Sequence, residues 1–232
     1  MKKIIIIGSV ALFLFSCNGN KQEKEKTEPE VVQITLEFPQ KIEFPSLDSL
    51  PVTANLYHRS DTSPVIVLCH QARFNKYEYN GIAKTLCENG YNCIAIDQRS
   101  GGPIVETFNE TMELAKQKGK PVDFLDAEQD IIAAVNFAAN KYKRKIILWG
   151  SSYSSTLALY VAMENENVEA VISFSPGDYF VKEKGALTEK LAAFSKPMFV
   201  TSSKEEEKDL TQMISKMKLN EKQIQFAPSS EG

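Results

Sequence analysis

The sequence predicts an α/β domain built on a mostly parallel, doubly wound sheet, with antiparallel strands at its N-terminal edge. Three observations predict it. Short apolar runs such as Pro64-Val-Ile-Val-Leu-Cys69 have the composition of strands buried on both faces. Stretches with apolar residues at helical spacing separate these runs one after another. The alternation continues to residue 226 with no internal repeat, which gives one domain.

Taken in order, residues 31–44 and 52–58 alternate apolar and polar side chains, punctuated by Pro45 and Pro51, and read as antiparallel edge strands. Residues 64–69 are the first buried strand. Residues 79–88 have helical spacing and stop at Asn89-Gly90, a helix C-cap pair. A second buried strand, 93–96, runs into Asp97-Gln98-Arg99-Ser100-Gly101-Gly102. The polar stretch 103–121 reads as a long loop with about one turn of helix. Residues 126–142 form an amphipathic helix with Ile131, Ile132, Val135 and Phe137 on its apolar side. A strand over 145–149, an Ala- and Leu-rich helix over 154–165 and a strand over 168–174 follow. A short helix over 187–194, a strand over 197–201, a helix over 205–217 and a strand over 223–226 complete the series.

The N-terminus carries its own signal. Lys2 and Lys3 precede an apolar stretch from Ile4 to Phe15, too short for a stable membrane span and patterned like a secretory signal over 1–16. Leu14-Phe15-Ser16-Cys17 resembles a bacterial lipoprotein lipobox, with Phe15 bulkier than the usual occupant. The resemblance implies cleavage before Cys17, lipidation of its thiol and a lipid-anchored place in a bacterial cell envelope. Residues 17–30 lack large apolar side chains and read as a solvated tether, leaving 31–232 for the folded domain.

Composition excludes several classes. With 27 basic and 30 acidic residues the net charge is -3, without the basic stripe a nucleic-acid partner needs. No His-x-x-x-His or Cys/His cluster points to a metal, and no Gly-x-Gly-x-x-Gly or phosphate loop points to a nucleotide cofactor. Cys69 and Cys93 fall inside apolar strands and read as core; an oxidising envelope allows a Cys87–Cys93 bridge without demanding one.

Chemistry concentrates at Ile146-Ile-Leu-Trp-Gly150-Ser151-Ser152-Tyr153-Ser154-Ser155, where a buried strand runs straight into a helix through Gly-x-Ser-x-Ser. In a nucleophile elbow the serine sits at a sharp turn, so residues two before and two after it must be small. Gly150 and Ser154 meet that demand around Ser152; Ser151 and Ser155 lack a small residue two positions before them. The following helix N-terminus offers N–H groups and positive dipole to a developing oxyanion.

With these motifs the chain resembles the α/β-hydrolase family, close to its lidless esterase and dienelactone-hydrolase-like branch, over residues 52–232. His70-Gln71-Ala72 corresponds to the family's His-Gly-x oxyanion loop, with Gln71 in place of Gly. That match implies an oxyanion hole of Ala72 and Tyr153 backbone N–H groups. Asp97-Gln98-Arg99-Ser100-Gly101 resembles a structural turn of the family, with a substrate-binding Asp97–Arg99 pair as the alternative. The resemblance puts the triad's acid on Glu206, with Glu205 next, while Asp178 competes from the previous strand.

The triad's base is the difficulty. The chain has two histidines, His58 and His70, and the resemblance puts the base after the last strand, in a His-Gly pair that Ala227 to Gly232 do not contain. The base is therefore expected beyond Gly232, or is absent; His70 at the rim of the site and His58 on an edge strand are the alternatives. The expected function is a serine ester hydrolase working through an acyl-enzyme on small or soluble carboxylic esters, since only about twenty residues stand where relatives insert a lid. A non-catalytic envelope lipoprotein that keeps the fold to bind a ligand is the second reading. A peptidase or thioesterase on the same triad is the third.

Overall fold

The computed structural model describes residues 38–228. Cys17, the secretory and tether segments and the start of the first expected strand lie outside the described residues.

One eight-stranded sheet organises the chain, in the order β1-β2-β4-β3-β5-β6-β7-β8. β1 (Gln40–Pro45) and β2 (Pro51–Tyr57) pair antiparallel, and β2 pairs antiparallel with β4 (Asn92–Ile96). From β4 onward every pairing is parallel: β3 (Val65–Cys69), β5 (Ile146–Ser151), β6 (Val168–Phe174), β7 (Met198–Thr201) and β8 (Gln223–Phe226). β3 and β4 are buried at every position, as expected of central strands in a sheet covered on both sides.

The helices divide unequally between the two faces. One face packs α3 (Glu128–Tyr142), α4 (Tyr153–Glu164), α6 (Leu187–Leu191) and α7 (Glu207–Met213) against Val65, Val67, Ile94, Ile96, Leu148 and Val200. The other packs α1 (Asn80–Glu88) and the 3-10 helix Lys76–Tyr79 against Tyr57, Ile66, Leu68 and Cys93. That second cluster stops at β5, where Ile147 and Trp149 are only half-buried. Beyond it an aromatic row continues along the same face: Trp149 stacks on Phe174 at 5.1 Å, Phe174 meets Phe199 at 6.1 Å, and Phe199 stacks on Phe226 at 6.2 Å. Ile224 and Phe226 at its end are 53% and 54% exposed.

Two expectations are corrected. The stretch 103–121 is more than a loop: it holds α2 (Glu110–Gln117), started by the Asn109 side chain accepting the Met112 N–H and anchored by buried Met112 and Ala115. The last helix is shorter than 205–217, because Glu206 is its cap and Ile214 its end. Cys93 packs in the core as expected, in the second cluster with Cys87, and both are free, so the bridge left open between them is not formed. The segment expected to be too short for a lid carries only α5 (Val181–Lys184) and α6.

Replacing both Ile224 and Phe226 by Ser should lower the binding of an apolar-surface dye. It should change the unfolding free energy by no more than about 1 kcal/mol, because half-exposed side chains bury little area. Dye fluorescence beside urea unfolding measures both.

Candidate active site

β5 passes into α4 through a single residue, Ser152, whose backbone is held at φ 56°, ψ -128°. This conformation is unfavourable for a side-chain-bearing residue, on the order of 1–3 kcal/mol. It turns the chain so sharply that Gly150 lies against the helix it precedes. A Cβ on Gly150 would come within 2.5 Å of Ser154 O and 2.6 Å of Ser155 Cα, so only glycine fits. Ser154 does more than stay small. Its hydroxyl accepts the Ser151 N–H at 3.0 Å and shares its hydrogen between Cys69 O at 2.8 Å and Ser151 O at 2.9 Å. The Ser152 N–H donates to Phe174 O at 2.8 Å, tying the turn to β6.

Strand register brings the other residues here. Cys69 stands opposite Gly150, so the turn after β3 borders the turn after β5. The strand order reverses at this pair, and in open α/β sheets the crevice outside such a reversal is where ligands bind. The Ala72 and Tyr153 N–H groups have no protein acceptor among the described residues, Tyr153 being the first residue of α4. The Gln98 side chain clamps His70 from both sides, accepting its N–H at 3.0 Å and donating to its carbonyl at 3.3 Å. Gln98 also donates to the Tyr153 phenol oxygen, which bonds Ser100 Oγ at 2.7 Å. Burial keeps that phenol well above its ordinary pKa and therefore neutral.

The three carboxylates expected from the sequence separate on inspection. A cavity of about 360 Å³ lies between the β6–α5 loop and α7, walled by Asp178, Tyr179, Thr188, Glu206, Asp209 and Met213 among others. Glu206 and Asp178 face it from opposite sides; Glu205 is exposed and not among its walls. Asp178 is engaged locally, its Oδ1 accepting the Leu187 N–H at 2.8 Å to start α6. Glu206 makes a longer contact, 3.4 Å from Ser203 N. Tyr179 links cavity and serine: it lines the cavity, and its hydroxyl lies 3.5 Å from Ser152 Oγ.

Comparison with known proteins decides the family. The model of the dienelactone hydrolase family matches residues 52–227. The chain belongs to that family. The fold agrees: an esterase of Pyrococcus furiosus superposes with a TM-score of 0.62 at 14% identity, over 84% of each chain. A dienelactone hydrolase of Anabaena variabilis gives 0.60 at 15% identity, over 83% of this chain and 88% of its own. An acylaminoacyl peptidase of Pyrococcus horikoshii gives 0.59 at 16% identity, over 86% of this chain and 38% of its own. No curated protein matches the sequence. The architecture is thus the α/β-hydrolase fold with antiparallel strands at one edge, as the sequence led one to expect.

Within this dienelactone hydrolase family member, neither histidine can serve Ser152. His70 is fully buried, its Nδ1–H donating to Gln71 O at 2.8 Å and its Nε2 accepting the Gln98 N–H at 3.1 Å. Both ring nitrogens are committed, and burial lowers its pKa, which keeps the ring neutral. His58 is at the wrong edge. It follows Tyr57, which pairs with Cys93 at the start of β4, whereas Ser152 follows the end of β5. Asp97 and Arg99 do not pair with each other. Asp97 accepts Lys76 N, Lys76 Nζ and Glu110 N, all within 2.9 Å. Arg99, fully buried, binds Asp130 and Asp48. Both residues hold loops, and no donor of Arg99 reaches solvent for a substrate.

Two residues at the site escaped the sequence reading, Tyr179 and Glu78. Tyr179 sits in the Asp178-Tyr179-Phe180 turn, whose aromatic pair was the one available signal. Glu78 reaches back from the 3-10 helix and accepts the Gln71 N–H at 2.9 Å. Nothing in its sequence spacing signals that contact.

Gly150→Ala should destabilise the protein by about 2–3 kcal/mol, the cost of forcing a methyl into a packed turn. Ser154→Ala should cost about 1–2 kcal/mol, because it leaves the Ser151 N–H unpaired. Urea unfolding of both variants checks the magnitudes and their order.

Proposed function

We propose that this protein is a serine ester hydrolase acting through an acyl-enzyme, with Ser152 as nucleophile and the Ala72 and Tyr153 amides holding the oxyanion. The observation that carries the reading is the strained turn at Ser152 beside two amides free of protein acceptors, in a member of the dienelactone hydrolase family. Attack by Ser152 Oγ on an ester carbonyl develops negative charge on the carbonyl oxygen. Amides fixed in advance stabilise that charge without reorganising, typically by several kcal/mol. Glu206 is the acid in this reading: it lines the cavity that Tyr179 connects to Ser152, whereas Asp178, on the same cavity, is bound to the α6 N-terminus. Small or soluble carboxylic esters are the substrates, because only α5 and α6 stand beside an open site. A lipid on Cys17 would hold the enzyme at the envelope surface, and a Cys17→Ala protein recovered in the soluble fraction supports that anchor.

A hydroxyl needs a base to become a nucleophile at neutral pH, and neither histidine of this chain reaches Ser152. That observation favours a second reading, a hydrolase fold retained for binding without catalysis. Added imidazole separates the two, since the cavity between Tyr179 and Glu206 has room for such a ring.

On the hydrolase reading, imidazole should speed p-nitrophenyl acetate cleavage by the 232-residue chain beyond imidazole alone, with saturation in imidazole. Ser152→Ala should return the rate to that of imidazole alone. Glu206→Gln should lower the saturating rate roughly tenfold, a loss of about 1.4 kcal/mol of transition-state stabilisation. Equal rates for the parent chain and Ser152→Ala would sink the hydrolase reading and leave the binding one.

A further inference from the structure

We propose that Glu78 is a positioning residue for the oxyanion site: by accepting the Gln71 N–H, its carboxylate holds the His70–Ala72 turn so that the Ala72 N–H faces Ser152. The inference rests on the reading of Ser152 and Ala72 given above, and concerns how that site is kept in shape.

The turn has few anchors. Gln71 O accepts the His70 Nδ1–H at 2.8 Å and the Phe74 N–H at 3.3 Å, while the Gln71 N–H has the Glu78 carboxylate as its partner. Without Glu78 a part-buried amide next to Ala72 loses its acceptor, and the cheapest response is for the turn to rotate toward water. Glu78 can impose a position because the helix that carries it is itself fixed. The Asn75 side chain caps that helix by accepting the Tyr77 N–H. Lys76 is bound through both its amide and its ammonium to Asp97. Tyr79 donates to Cys69 O at 2.9 Å and lies 2.9 Å from Ser151 Oγ. Lys76, Glu78 and Tyr79 of one short helix thus connect the ends of β3 and β4, the oxyanion turn and the nucleophile turn.

The charge on Glu78 changes in the working range of pH. Burial pushes its carboxyl from 4.5 up to about 7, opposed by the Gln71 hydrogen bond. The groups facing it leave it without a counter-charge. Tyr79 on its own helix and Tyr153 on α4 are phenols kept neutral by burial, and the Lys76 ammonium is engaged by Asp97 and Glu110. No cation lies within ion-pair distance of Glu78 among the described residues. Two opposite consequences follow. The fold loses stability from this group as pH rises from about 4.5 through about 7, since the folded state binds its proton more tightly. The oxyanion turn gains order over the upper part of that range, because a carboxylate accepts a hydrogen bond more strongly than a carboxylic acid.

The test has two arms. In the first, imidazole-assisted ester cleavage is measured for the parent chain and Glu78→Gln between about pH 5.5 and 8.5, and the two rates are divided, which cancels the ionisation of imidazole itself. The glutamine carbonyl still accepts the Gln71 N–H, so it mimics protonated Glu78. The ratio should be near one at the acid end and rise roughly fivefold, with a midpoint near 7 and the change carried by kcat more than KM. A flat ratio overturns the proposal. In the second arm, carboxyl-labelled Glu78 and the Gln71 and Ala72 amides are followed by NMR across the same range. All three should move with one midpoint near 7, and the amide shifts should vanish in Glu78→Gln. Amides that ignore the Glu78 titration overturn the proposal even if the protein hydrolyses esters. If no Ser152-dependent turnover exists, the first arm removes the hydrolase reading and the second alone decides the role of Glu78.

Discussion

The passage of β5 into α4 through one residue is the constraint on which the site depends. A strand and a helix joined without a loop require Ser152 to adopt a positive φ, and they press Gly150 and Ser154 together. The strain, about 1–3 kcal/mol, is small beside what holds it. α4 is buried from Tyr153 through Ala162, and full burial of side chains such as Leu157, Leu159 and Val161 is worth about 1.5–3 kcal/mol each. The helix cannot retreat to relax the turn without exposing that surface. The same geometry that strains Ser152 leaves the Tyr153 N–H without a protein acceptor among the described residues, so on the proposed reading strain and electrostatic preparation share one cause.

Buried charges fix the loops around that turn. Arg99 joins Asp130 of α3 to Asp48 between β1 and β2, and Lys76 joins Asp97 after β4 to Glu110 at the start of α2. Exchanging such pairs for apolar residues is often neutral or stabilising, whereas removing one partner leaves a buried charge exposed to nothing. Their contribution is therefore better read as position than as stability. Asp48 shows the ordinary pattern: hydrogen bonding from Arg99 holds its carboxyl far below the usual range, so its contribution is present at neutral pH and lost in acid. Glu78 shows the reverse. Asp48 is held in its charged form, and Glu78, which accepts the Gln71 N–H, is poised between forms.

How much of this was legible in the sequence follows from what each element depends on. β3, β4, β6 and β7 lie within about a residue of expectation, because a short apolar run between polar segments reads as a strand whether one face of the sheet is covered or both. The sharp turn at Ser152 was legible for a similar reason: Gly150 and Ser154 are local demands of a local geometry. α2 was hidden because a helix with Glu, Lys and Gln on most of its surface and only Thr111, Met112 and Ala115 buried resembles a loop in composition. The choice among Glu205, Glu206 and Asp178 could not be made from spacing. Glu206 and Asp178 both line the cavity, and what separates them is that Asp178 is engaged at the start of α6 while Glu205 lies outside the cavity's walls. Glu78 was invisible for the strongest reason, since its role comes from a hydrogen bond to a backbone amide and from burial, and neither leaves a pattern in the chain.

The two histidines make the same point about chemistry. His70 has the residue type of a general base and stands one turn from the nucleophile strand, yet it is the group least able to act as one. A catalytic imidazole needs one nitrogen free to take a proton and a surrounding that tolerates the resulting charge. His70 has neither: the Gln71 carbonyl fixes which nitrogen carries hydrogen, the Gln98 amide occupies the other, and burial opposes protonation. A Cβ on Gly101 would lie 2.7 Å from the His70 ring, so the loop after β4 closes over it as well. The ring instead joins the His70–Ala72 turn to the β4 loop, donating to Gln71 O and accepting from the Gln98 N–H with the Asn109 amide also 3.3 Å from Nε2, which a side chain with one donor and one acceptor nitrogen does well. On the proposed reading, nucleophile, oxyanion donors and acid are each held by partners that leave their reactive atoms free, and His70 is one of the partners. On the same reading, the base enters from the side of the cavity lined by Tyr179 and Glu206, because the Tyr179 hydroxyl, 3.5 Å from Ser152 Oγ, connects that cavity to the serine.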